Sequence, residues 1–145
     1  MNTLLSNRPL VSALAAWAIA QTLKMVIFFI LERELNWKRL IDTGGLPSAH
    51  SAFVTGLATG VACAEGVASS IFAIAAVFAA VVMYDAVSLR REAGKHADIL
   101  NELLLLTFIK DAVSERSALK ELLGHTPVEV IAGAALGIGV GLLTG

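Results

Sequence analysis

Charge is scarce in this chain: 16% of its 145 residues are Asp, Glu, Lys or Arg, where an ordinary soluble domain carries about a quarter. Eleven basic against twelve acidic residues leave a formal net charge of −1. There is thus no basic field to hold nucleic acid and no acidic tail. A lone cysteine, Cys63, excludes an internal disulfide framework, and no Cys/His zinc spacing occurs. Set in an apolar run of Ala and Gly, Cys63 reads as a small packing residue. What the chain has in excess is apolar surface, 57% of its residues. That excess points to a membrane protein, and the short length points to a single membrane-embedded domain over residues 1–145.

Leu10 to Leu31 is apolar apart from Ser12, Gln21, Thr22 and Lys24. It is long enough to span a hydrocarbon layer of roughly 30 Å, and no convincing cleavage site follows, so it reads as a retained membrane helix. A charged connector, residues 32–43, comes next. Ser51 to Ala64 is rich in small residues, with Gly56 and Gly60 at the spacing that lets membrane helices approach closely. It is short for a span unless the turn before it lies at membrane depth. Glu65-Gly66 makes a turn, and Val67 to Tyr84 is the most uniformly apolar run. Charges then recur through residues 85–121, where Ile99 to Ile109 is apolar but too short to span and reads as an interfacial helix. Val128 to Leu143 closes the chain, with Gly133, Gly137 and Gly141 forming a close-packing face for a contact within the chain or between two copies in a homodimer. The expected fold is all-α: a polytopic membrane bundle of about four transmembrane helices plus an interfacial helix. Lys and Arg concentrate in the connectors after the first and third spans, which places both connectors in the cytoplasm and both termini outside.

Two polar punctuations stand out, Gly44-Gly45-Leu46-Pro47-Ser48-Ala49-His50 and Gly124-His125-Thr126-Pro127-Val128-Glu129. Each sets a histidine, a proline and a hydroxyl at the mouth of an apolar helix, where free N–H groups favour anions. The proposed topology brings both to one membrane face. His50 can exchange a proton near neutral pH, or simply hydrogen-bond within its turn. Glu129 stands four residues after His125, within reach of the imidazole, yet Thr126-Pro127-Val128-Glu129 reads equally well as a capping box. Lys24, inside an apolar helix, is either functional or snorkels to the interface. Arg90 and Arg91 anchor a helix exit or bind phosphate bidentately. His96 lies in a polar patch and reads as solvated.

Taken together, Ala20-Gln21 with Lys24, the two histidine punctuations, and Tyr84-Asp85-Ala86 with Arg90-Arg91 resemble the divergent PAP2 family, small membrane proteins related to acid phosphatases and vanadium-dependent haloperoxidases. In the wider superfamily's terms, Lys24 matches a phosphate-binding lysine, although Leu31 stands where the first motif closes with Arg-Pro. Pro47-Ser48-Ala49-His50 matches Pro-Ser-Gly-His with Ala for Gly. His125 and Glu129 match a nucleophilic His and its Asp, and Leu119 occupies the third-motif arginine position. The resemblance implies a phosphatase that needs no metal or other cofactor. Its catalytic residues would be His125, His50 and Glu129, with Lys24, Ser48, Arg90, Arg91 and Lys120 as candidate phosphate ligands. The expected substrate is a lipid phosphate, phosphatidylglycerol phosphate among the candidates, met at the cytoplasmic face. The alternative is a small membrane transport or scaffold protein with a residual anion pocket and no turnover. An oxidation through bound vanadate lacks the aromatic shell it would need.

Overall fold

Helix ends are set by side chains that satisfy the free backbone groups. The first helix, α1, runs Arg8–Glu32: Asn7 Oδ1 accepts from the Leu10 N–H at 3.1 Å, and the chain leaves it at Arg33 in a left-handed conformation, φ 54°. Ser48 caps α2, Ala49–Glu65, which ends at Gly66 with φ 81°, a value that suits glycine. Ser69 caps α3, Ser70–Val87, accepting from the Phe72 N–H at 3.2 Å. Thr126 caps the last helix, α4, Pro127–Thr144, with Pro127 in its first turn. The structure, a computed structural model, describes residues 5–33, 45–88, 95–96, 99–100, 102 and 125–145.

Three of these helices, α1, α3 and α4, are long and apolar enough to cross a membrane. The fold is a helical membrane bundle, as expected. The fourth expected span, α2, has 17 residues, about 26 Å at 1.5 Å per residue. It is the axis of the bundle and packs on all three other helices. The run from Val67 starts its helix only at Ser70, because residues 67–69 form the turn that Gly66 opens. Of the expected interfacial helix, Ile99 and Leu100 are helical and exposed, and residues 101 and 103–109 lie outside the described residues. His96 is exposed, in keeping with a solvated patch.

Small residues decide which faces meet. A Cβ on Gly56 would stand 2.9 Å from Ala16 Cβ, and one on Gly60 would stand 2.8 Å from Pro9 Cα, so α1 lies hard against this side of α2. Ala16 and Ala20 of α1 pack with Ala49 and Ala52 of α2 and Val140 of α4. On another side, Val54, Ala58 and Val61 pack with Ala75 and Ala79 of α3.

Gly133, Gly137 and Gly141 are buried against Ser48, Thr55 and Thr59 of α2. The close-packing face thus serves an α2–α4 contact within the chain. Polar ties cross the same packing: Thr55 Oγ1 donates toward the Ala134 carbonyl at 3.2 Å, and the Ser12 and Thr144 hydroxyls share a hydrogen bond of 2.6 Å. Such bonds add modestly to helix association in lipid. Cys63 departs from its reading as a packing residue, being exposed at the end of α2 beside Gly145.

Arg8 Nη1 approaches the Gly145 carbonyl at 3.5 Å, joining the start of α1 to the end of α4. At the opposite end of the bundle the C-terminal turns of α1 and α3 meet the N-termini of α2 and α4. Both histidine punctuations fall at that end.

Candidate functional site

The two helix entries are tied to each other before any side chain is considered. The Ser48 N–H donates to the Glu129 carbonyl at 3.0 Å, bridging the cap of α2 to the first turn of α4. The His125 N–H donates to the Ala86 carbonyl at 3.1 Å, fixing the residue before α4 to the last turn of α3. Helices α2 and α4 run side by side with both N-terminal ends here, so the positive ends of two helix dipoles converge.

On this frame the rings of His50 and His125 meet edge to face, their centroids 5.9 Å apart and their planes at 81°. His125 is 3% exposed, whereas His50 is open to the surroundings. His50 is thus met first from outside, with His125 behind it.

Lys24 is 6% exposed. It lies folded into the bundle end rather than snorkelling out along the surface of α1. A Cβ on Gly45 would lie 3.0 Å from Lys24 Cε and 3.1 Å from Phe28 Cε2. Gly45, at φ 93°, is what lets the turn before α2 lie down on the lysine stem. This is the one site residue that sequence reasoning passed over. Its signal in the sequence is the Gly44-Gly45 pair itself.

Two other site candidates are engaged in helix capping. Ser48 is fully buried, and its hydroxyl accepts from the Ser51 N–H at 3.4 Å and lies 3.1 Å from Ser51 Oγ. It serves as the cap of α2. Glu129 completes a capping box: its Oε2 accepts from the Thr126 N–H at 3.1 Å, while its own N–H donates to Thr126 Oγ1 at 3.3 Å. Of the two accounts open to Glu129, the structure shows the cap and not a carboxylate turned on His125. Glu129→Gln, which keeps an acceptor, is accordingly expected to leave stability and any turnover close to wild type. Glu129→Ala should cost about 1 kcal/mol of stability in thermal unfolding. A turnover loss above ~10-fold in a fully folded Glu129→Gln protein would restore the carboxylate–imidazole pair. Arg90, Arg91 and Lys120 lie outside the described residues. Within those residues the site therefore comprises His50, His125, Lys24, Gly45 and two helix N-termini. His50 and His125 are brought together, Lys24 is buried beside Gly45, and both helix N-termini lie at the same end of the bundle.

Residues 5–140 match the sequence pattern of the Divergent PAP2 family, and the chain belongs to that family. It is similar to the "Uncharacterized membrane protein YuiD" of Bacillus subtilis (strain 168), 47% identical over 145 residues, covering 93% of this chain and 92% of that one. No solved structure matches it. The chain is an integral membrane protein of a PAP2-like family.

Proposed function

We propose that this protein is a membrane-embedded phosphatase that hydrolyses a lipid phosphate monoester at the cytoplasmic face. The observation that carries the reading is the meeting of His50 and His125, distant in sequence, at 5.9 Å between ring centroids. A phosphoryl group bound beside the two rings would reach a nucleophile on one and a proton donor on the other.

In the first step a His125 ring nitrogen attacks phosphorus. The ester P–O bond breaks, its electron pair leaves on the alkoxide, and His50 supplies the proton. In the second step His50 takes a proton from water and the resulting hydroxide attacks the phosphohistidine. The P–N bond returns its electron pair to His125, and inorganic phosphate departs. Lys24 and the N–H groups of the α2 and α4 entries oppose the charge on the equatorial oxygens. Phosphatidylglycerol phosphate fits the class as a lipid whose phosphate monoester would sit at this depth, a suggestion that rests on family resemblance.

Phosphate release from lipid phosphates by the purified protein, inhibited by vanadate, is the expected result. No release from a broad panel of lipid phosphates and pyrophosphates would remove the enzyme reading. Lys24→Met is expected to lower kcat/KM by about 10²-fold or more, with Lys24→Arg recovering part of the loss. Equal rates in wild type and Lys24→Met would take Lys24 out of the site. A second reading, an anion-binding membrane protein without turnover, draws on Glu129, whose carboxylate is engaged with Thr126. Saturable lipid-phosphate binding with no phosphate release would favour it.

A further inference from the structure

Among the described residues the bundle is open on one side of α2, and the opening leads to His50. Helix α1 lies against Gly56 and Gly60 of α2, α4 lies against Thr55 and Thr59, and α3 lies against Val54, Ala58 and Val61. Helices α1 and α3 scarcely meet each other. The α2 residues that point between them are His50, Phe53, Leu57 and Ala64, which fall within about 60° of one another around the helix axis. Their exposure is compatible with that placement: Phe53 and Leu57 are half-buried, as are Thr59 and Ala62 elsewhere on the helix, and His50 and Ala64 are exposed. Beside them Val82 and Met83 of α3, also half-buried, pack on the same cluster.

This arrangement is a groove with two chemistries. From His50 to Leu57 the stripe runs about 10 Å along α2, a large part of the ~15 Å half-thickness of a bilayer's hydrocarbon core. On its α2 and α3 sides Phe53, Leu57, Val82 and Met83 are apolar. Its head is the pocket of His50, His125 and Lys24, which suits an anion. An amphiphile with an anionic head and a hydrocarbon tail complements both parts at once, whereas the flank of a second copy would complement only the tail.

We infer that the gap between α1 and α3 receives an acyl chain of the lipid phosphate, laid along Phe53 and Leu57 with its headgroup at His50. The inference deepens the phosphatase reading and rests on it for the substrate's identity. Phe53 and Leu57 then set the preference for a long-chain lipid over a water-soluble phosphate ester.

The test has two arms. In the first, wild type, Leu57→Trp and Leu57→Ala are assayed on a long-chain phosphatidic acid in mixed micelles and on its dihexanoyl analogue. The outward-facing variant Val77→Trp serves as control. Filling the groove in Leu57→Trp is expected to lower kcat/KM about tenfold for the long-chain lipid and to leave the short-chain ester unchanged. Leu57→Ala, which removes part of the groove wall, is expected to narrow the preference for the long-chain lipid over the dihexanoyl analogue. Equal effects on the two substrates would overturn the inference. In the second arm, phosphatidic acid carrying a diazirine in its acyl chain is irradiated with the protein in phosphatidylcholine vesicles. Crosslinks should map to the peptide containing Phe53 and Leu57, and crosslinks confined to the outer face of α3 would overturn the groove. This arm needs no turnover, so absence of phosphate release would sink the enzyme reading alone. Disulfide-linked dimers of Leu57→Cys in a Cys63→Ala background would instead make the gap an interface between copies and contradict the inference.

Discussion

His125→Ala is expected to abolish lipid phosphate hydrolysis, with kcat falling about 10³- to 10⁶-fold, the range seen when a covalent nucleophile is removed. The prediction separates cleanly from misfolding because of how His125 is held. One structural tie is a backbone N–H donated to the Ala86 carbonyl at 3.1 Å, and alanine keeps that bond. The α4 cap begins one residue later and is untouched. What disappears is the ring that packs against His50. Circular dichroism and size exclusion should therefore remain native while phosphate release is lost. His50→Ala should behave differently on an ester with a good leaving group, such as p-nitrophenyl phosphate. There the leaving group needs no acid but the phosphoenzyme still needs a base, so a stoichiometric burst followed by a stall is expected. Steady turnover at the wild-type rate in folded His125→Ala would end the two-histidine mechanism.

Gly137→Leu should destabilise the bundle by about 3 kcal/mol or more. A Cβ at this position would run into Thr55 Oγ1 and the Ala52 carbonyl, and would stand 2.9 Å from the Gly56 N. Two of those three are main-chain atoms of α2, which cannot step aside as a flexible side chain can. The helices must separate instead, which stretches the Thr55–Ala134 hydrogen bond and moves Ser48 away from the Glu129 carbonyl. Gly139 offers an internal control on the same helix, since a Cβ there meets nothing within 4 Å. Thermal unfolding in detergent should find Gly139→Leu near wild type and Gly137→Leu far below it. Equal stability of the two would mean that α4 does not lie on α2 in this way.

Helix entries were the most legible part of the sequence. Ser48 and Thr126 cap where their positions predict, because capping is a local contest among neighbouring backbone groups. The convergence of the histidines was legible for a coarser reason: successive membrane crossings alternate, which brings the entries of α2 and α4 to one end. Side-chain facing was not legible. In helices that are apolar on nearly every face, periodicity says little about which side meets a neighbour and which meets lipid. Hence the stripe of Gly133, Gly137 and Gly141 announced a close approach without naming α2 as its partner. Glu129 shows a different limit. Its spacing suits both the imidazole of His125 and the N–H of Thr126, and only coordinates could separate an i−4 partner from an i−3 partner. The central place of α2 was also hidden, because shortness alone reads as a weak span and not as a helix enclosed by three others.

The central claim is that His125 carries the phosphoryl group, and trapping that species tests it most directly. The protein would be mixed with a lipid phosphate labelled with ³²P at its phosphomonoester, quenched within the first turnover under alkaline conditions that preserve phosphohistidine, and digested. Label on the peptide containing His125, absent from His125→Ala, is the expected result. Phosphate release with no acid-labile label on that peptide, or label on His50 instead, would contradict it.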